Sequence, residues 1–203
     1  MRISTYRGLQ RFHIDPGEYH VVRGSGIITT LLGSCVAACL WDEKTSIFGM
    51  NHFLLANHRY AKKMPVIVSE AGRYGIHAME LLINNMLKMG AHKSALQAKI
   101  FGGANVLYSL FQDRSMYAIG DINNRFIMEF LKKEKIPLIA SDLGGNYGRV
   151  INFVGSDYSV YLKRINKKES EHKVVVAEKQ LLTDQLKEHS AQIDKGSDQI
   201  TYW

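Results

Sequence analysis

The chain has 203 residues, 46% of them apolar, enough for one substantial core, and no apolar run is long enough to suggest a membrane-spanning helix. Its net charge of +7 invites a nucleic-acid reading, but the basic groups (His58-Arg59-Tyr60-Ala61-Lys62-Lys63, Lys132-Lys133, Lys163-Arg164) are scattered. They form no aromatic-interleaved RNA motif or recognition helix, so no nucleic-acid partner is expected and the charge is read as solubilising surface charge or as steering toward an acidic protein.

In chain order, residues 1 to 20 read as a mixed lead-in, with a turn at Asp15-Pro16-Gly17-Glu18. Tyr19 to Val22 is a short strand bounded by Gly24-Ser25-Gly26, and Ile27 to Leu32 is a β-branched run leading to Gly33-Ser34. Val36 to Trp41 and Ile47 to Leu55 read as two strands of a hairpin joined by the polar stretch Asp42-Glu43-Lys44-Thr45-Ser46. Ala56 to Met64 is a basic loop, containing His58 as a second histidine. Ser69 to Met89 is the clearest helix, with Ser69 as N-cap and Gly90 at its end. Met86 and Met89 fall on its apolar stripe and read as core, and Glu80 as an exposed charge. Lys99 to Ala104 is a strand running into Gly102-Gly103, read as a close backbone approach at the edge of a site. No Lys-Ser/Thr follows, so it is not a phosphate loop.

Ile122 to Glu134 reads as a second helix with Asn123 and Asn124 as caps, Pro137 to Ser141 as a strand, and Asp142 to Asn146 as a turn. Arg149 to Val154 and Ser159 to Arg164 form a closing hairpin. Residues 1–165 are therefore taken as one domain. Residues 166–203 are taken as a charged C-terminal tail with a partial helix over Lys173 to His189. The expected class is α+β: a mixed or antiparallel sheet with two long helices packed on it.

The chemistry concentrates in the first hairpin. With its turn centred near Lys44, antiparallel partners sum to about 88, so position 52 lies beside position 36 and His52 next to Cys35. A cysteine behind a Gly-Ser turn, with an imidazole on the returning strand, is the arrangement thiol nucleophiles need. Backbone N–H groups at the start of the strand are candidate oxyanion donors, and Thr29 reads by itself as an ordinary strand threonine whose hydroxyl could also orient His52. Cys35 is expected to be the reactive thiol, with a pKa lowered by His52, and Cys39 the inert one. These are the only two cysteines, too few for a disulfide framework or a zinc site, and a reducing cytoplasmic location follows. The N-terminus has no apolar signal segment.

The run Thr29-Thr30-Leu31-Leu32-Gly33-Ser34-Cys35-Val36-Ala37-Ala38-Cys39-Leu40-Trp41-Asp42, followed by Gly49-Met50-Asn51-His52-Phe53, resembles the CheD family of chemoreceptor glutamine deamidases. Further segments agree: Tyr74-Gly75, Lys99-Ile100-Phe101-Gly102-Gly103-Ala104, Ile119-Gly120 with Asn123, Asp142-Leu143-Gly144-Gly145, and Gly148-Arg149. The resemblance covers roughly residues 15 to 165. It implies hydrolysis of particular receptor glutamines to glutamate, and of glutamyl methyl esters at the same site. It also implies a layered fold similar to bacterial toxin deamidases.

The family nucleophile falls on Cys35, its base on His52, and its third catalytic residue on Thr29, with Thr30 beside it as the alternative. The implied partners are the cytoplasmic domains of chemoreceptors and a CheC-type phosphatase. A non-catalytic partner of that phosphatase is the competing reading. The thiol chemistry calls for no metal or organic cofactor.

Overall fold

The computed structural model describes residues 1–55, 70–105 and 118–165. The chain begins with a hairpin of β1 (Arg2–Tyr6) and β2 (Leu9–His13), where the sequence had suggested only a lead-in. Its two-residue turn, Arg7-Gly8, has φ of 49° and 80°, the mirror-image turn whose twist suits a tight hairpin. Every residue of β1 is exposed, so no apolar alternation announces the strand.

The other strands are β3 (Tyr19–Arg23), β4 (Ile27–Leu32), β5 (Val36–Asp42), β6 (Ile47–Asn51), β7 (Gln97–Gly102), β8 (Leu138–Leu143), β9 (Gly148–Val154) and β10 (Val160–Ile165). Among the described residues two α-helices, α1 (Glu70–Lys88) and α2 (Ala118–Lys133), complete an α+β fold. The strands form two five-stranded sheets, ordered β1-β2-β4-β9-β10 and β3-β6-β5-β7-β8. Both are mixed: β2–β4 and β7–β8 pair parallel, the remaining neighbours antiparallel.

The layers run helices, second sheet, first sheet, and β5 lies in the middle. Val36, Ala38 and Leu40 face Met79, Leu82, Met86, Phe126 and Phe130 on the helices. Cys35, Ala37, Cys39 and Trp41 face Ile28, Leu32, Ile151 and Phe153 of the first sheet. Burial on both sides explains why Val36 to Trp41 is continuously apolar rather than alternating. Each large apolar side chain fully buried in these two layers contributes about 1.5–3 kcal/mol.

Helix α2 starts four residues before the predicted Ile122, because Ile119 extends its apolar stripe into the core. Asn123 and Asn124 consequently sit inside the helix and not at its cap. Glu80 is exposed and Met86 buried, as their spacing implied. No helix among the described residues is long and apolar enough to cross a membrane. The basic loop with His58, the Ser69 cap and the whole segment 166–203 lie outside the described residues.

Candidate active site

The hairpin register differs by one residue from the predicted one. Cys39 pairs with Met50, and Val36 bridges Phe53, so partners sum to 89 and His52 stands opposite Ala37. The shift matters because side chains directly opposite share a face. A sum of 88 would have set His52 on Val36's side, facing the helices. The observed register puts it on the face of Cys35, Ala37 and Cys39, toward the first sheet. Cys35 and His52 are then diagonal neighbours on one face, a relation that spans about 7–8 Å between backbones, within reach of long side chains.

Glycines clamp the backbone of Cys35. Gly103 N–H donates to Cys35 O and Ala104 N–H to Gly33 O, each at 2.7 Å. Gly102 has φ of +119°, and a Cβ there would lie 2.1 Å from Cys35 O. The Gly-Gly pair is thus the close backbone approach its sequence suggested. The amides of Val36, Gly103 and Ala104 all donate to carbonyls, Val36 to Phe53 O at 3.0 Å, so none of these three is an oxyanion donor in this conformation.

His52 is held from both sides. Its backbone N–H donates to Glu18 O at 2.9 Å and its carbonyl accepts from Gly17 N–H at 2.8 Å. Its Nδ1 lies 2.8 Å from Thr30 Oγ1, which is also 2.8 Å from Ile14 O. A proton inventory fixes the tautomer. Ile14 O can only accept, so the single Thr30 hydroxyl proton points there, and Thr30 Oγ1 must accept from Nδ1–H. Nε2 is then the unprotonated nitrogen, and it is buried without a hydrogen-bond partner. Burial pushes the imidazole pKa down to about 3, with Glu18 opposing only weakly. His52 is therefore a neutral imidazole at pH 7.

The hydroxyl bond expected from Thr29 is made by Thr30. Successive residues of β4 point to opposite faces. Thr30, like Ile28 and Leu32, faces the second sheet and His52. Thr29 faces the outer side, where its hydroxyl donates to Ile151 O at 2.9 Å. The contrast expected between the two cysteines does not lie in their exposure. Both are fully buried and neither is in a disulfide, so exposure does not separate them. Nor does a neutral His52 supply a resting imidazolium to stabilise a thiolate. Burial raises the Cys39 pKa strongly, which fits its expected inertness.

Sequence reasoning named two further residues without giving them their place at this site. Asn123, expected as a helix cap, is instead fully buried on an otherwise apolar stripe and reaches both Ser34 O and Leu55 N–H. Arg149, also fully buried, donates to Asp142 O, Asp142 Oδ1 and Gly144 O, fixing the turn whose Gly144 N–H bonds Gly102 O at 2.9 Å. Among the described residues, no group of three His, Cys, Asp or Glu could hold a metal ion.

A cysteine and a neutral imidazole share one buried sheet face, an arrangement able to support thiol chemistry. The family model described as CheD chemotactic sensory transduction matches residues 55–164, beginning just after His52. A probable chemoreceptor glutamine deamidase CheD 1 of Geobacter sulfurreducens is 47% identical over 204 residues, covering 100% of this chain and 98% of the relative. A probable chemoreceptor glutamine deamidase CheD 2 of Shewanella oneidensis is 54% identical over 160 residues, 78% of each chain. The protein belongs to the CheD family.

Proposed function

We propose that this protein is a chemoreceptor glutamine deamidase, hydrolysing particular glutamine side chains on the cytoplasmic part of a chemoreceptor to glutamate. The observation that carries the mechanism is the His52 imidazole, neutral, anchored at Nδ1 by Thr30, with an unpartnered Nε2 on the face that Cys35 occupies.

In this reading the Cys35 thiol proton passes to His52 Nε2 as Sγ attacks the carboxamide carbon. The imidazolium so formed returns the proton to the departing nitrogen, and the C–N bond breaks to release ammonia and leave a thioester. His52 then takes a proton from water, the water oxygen attacks the thioester carbonyl, and the Cys35 sulfur leaves with that proton, giving glutamate. Because burial opposes a standing imidazolium, proton transfer is coupled to attack and does not precede it. Thr30 holds the tautomer throughout. A glutamyl methyl ester, losing methanol in place of ammonia, fits the same sequence of steps.

The test is incubation with a cytoplasmic receptor fragment. Specific glutamines should gain about one dalton each with release of ammonia, Cys35→Ala and His52→Asn should not turn over, and free glutamine should be a poor substrate. A fragment that binds but keeps its mass would overturn the reading.

A further inference from the structure

We infer that Asn123 is a positioning residue for the Cys35–His52 pair, its carboxamide replacing one rung of the ladder between the strands that carry them. Val36 and Phe53 exchange both backbone bonds, at 3.0 and 2.9 Å. Two residues further along, the next hydrogen-bonded pair of such a ladder is Ser34 with Leu55. Asn123 occupies that rung. Leu55 N–H donates to Asn123 Oδ1 at 2.9 Å, and Asn123 Nδ2 donates to Ser34 O at 2.8 Å. The side chain accepts and donates as a peptide unit would, holding the two backbones one amide further apart. On the other side of the Val36–Phe53 bridge, Ala38 N–H donates to Asn51 Oδ1 at 3.0 Å, where a regular ladder would use the Asn51 carbonyl. The stretch bearing Cys35 and His52 therefore hangs between two carboxamides with one ordinary rung at its centre.

Burial makes the residue type informative. Asn123 interrupts a helical stripe of Ile119, Ile122, Phe126, Ile127 and Phe130, all buried. The core alone would favour an apolar side chain there, since a buried amide is tolerated only when its polar atoms are bonded. Both of its atoms are spent on the residue before Cys35 and the residue three after His52. The carboxamide thus sets the strand spacing where Sγ must meet Nε2, and misplacement of such a contact by about 1 Å costs on the order of 100-fold in rate.

This role rests on the deamidase reading, so the experiment carries one readout that needs no receptor. Asn123→Leu, apolar and of similar size, and Asn123→Ser, smaller, are made in the full chain and checked for cooperative unfolding. The first readout is kcat and KM on a receptor fragment; the second is the pH profile of Cys35 carboxamidomethylation by iodoacetamide, read from peptide mass. A thiol beside a positioned neutral base reacts at a level rate from about pH 6 to about pH 8.5. A thiol without one follows its ionised fraction and climbs about tenfold per pH unit.

The expected result is a folded variant with kcat lowered about 10- to 100-fold, KM within about twofold of wild type, and a climbing profile in place of a level one. Wild-type protein inactive on the fragment would end the deamidase reading, and the alkylation profiles would then decide the positioning role alone. A wild-type profile that already climbs, folded variants with wild-type kcat and a level profile, or failure of both variants to fold would overturn the inference.

Discussion

Thr29 and Thr30 are adjacent, chemically identical and both buried, yet they should behave as opposites. Thr30→Val keeps the shape of the side chain and removes only the hydroxyl. That hydroxyl has two partners at 2.8 Å, His52 Nδ1 and Ile14 O, and neither finds a replacement in the buried site. An orphaned buried polar group costs about 1–3 kcal/mol. The part that falls on Nδ1–H acts directly on the tautomer, because the proton is no longer favoured at Nδ1 over Nε2. A loss of about 1.4–2.7 kcal/mol in transition-state stabilisation corresponds to a fall of about 10- to 100-fold in kcat.

Thr29→Val loses one bond, to Ile151 O on the far face of β4, and should cost about 1 kcal/mol of stability with kcat within about twofold. Ammonia release from a receptor fragment measures both, with urea midpoints to account for stability. Inactivation by Thr29→Val together with normal turnover in Thr30→Val would refute the tautomer argument.

Three further outcomes are expected. Cys39→Ala should retain kcat within about twofold while Cys35→Ala shows none, because burial keeps the Cys39 thiol protonated; a Cys39→Ala enzyme without activity would contradict this. Folded His52 has a pKa of about 3 against an ordinary 6.5, so the unfolded chain binds the extra proton between those values. The stability it contributes is complete above about pH 6.5 and declines as pH falls toward 3, amounting to a loss of about 2 kcal/mol at pH 5. Thermal melts should therefore show a smaller drop between pH 7 and pH 5 in His52→Asn than in wild type. Arg149→Met should lower stability by about 3 kcal/mol, read as a reduced urea midpoint, since it leaves the Asp142 carboxylate and two turn carbonyls without their buried partner.

The sequence made much of the fold legible where one physical signal dominated. Helix α1 was legible from its stripe, and β9 and β10 as a hairpin broken by the turn residues Gly155-Ser156-Asp157. The β1–β2 hairpin was not, because an exposed strand has no buried face to imprint on its composition. The division into two sheets was not either, since β3 joins β6 across the β4–β5 connection and nothing local encodes that pairing. At the site, the proximity of Cys35 and His52 followed from hairpin arithmetic, but the face did not, because one residue of register reverses it. Choosing between Thr29 and Thr30 required the orientation of β4, a tertiary fact. Asn123 could be noticed as a polar residue in an apolar stripe, but its partners lie 68 and 89 positions away in the chain.

The complete burial of Cys35 has a consequence for endurance. Protein sulfur is oxidised by peroxide in proportion to its thiolate character and its contact with solvent. Here the sulfur has no solvent contact, and the imidazole on its face carries no charge that would hold a thiolate between turnovers. A thiol so placed should climb the ladder from sulfenic to sulfonic acid more slowly than a solvent-exposed thiolate.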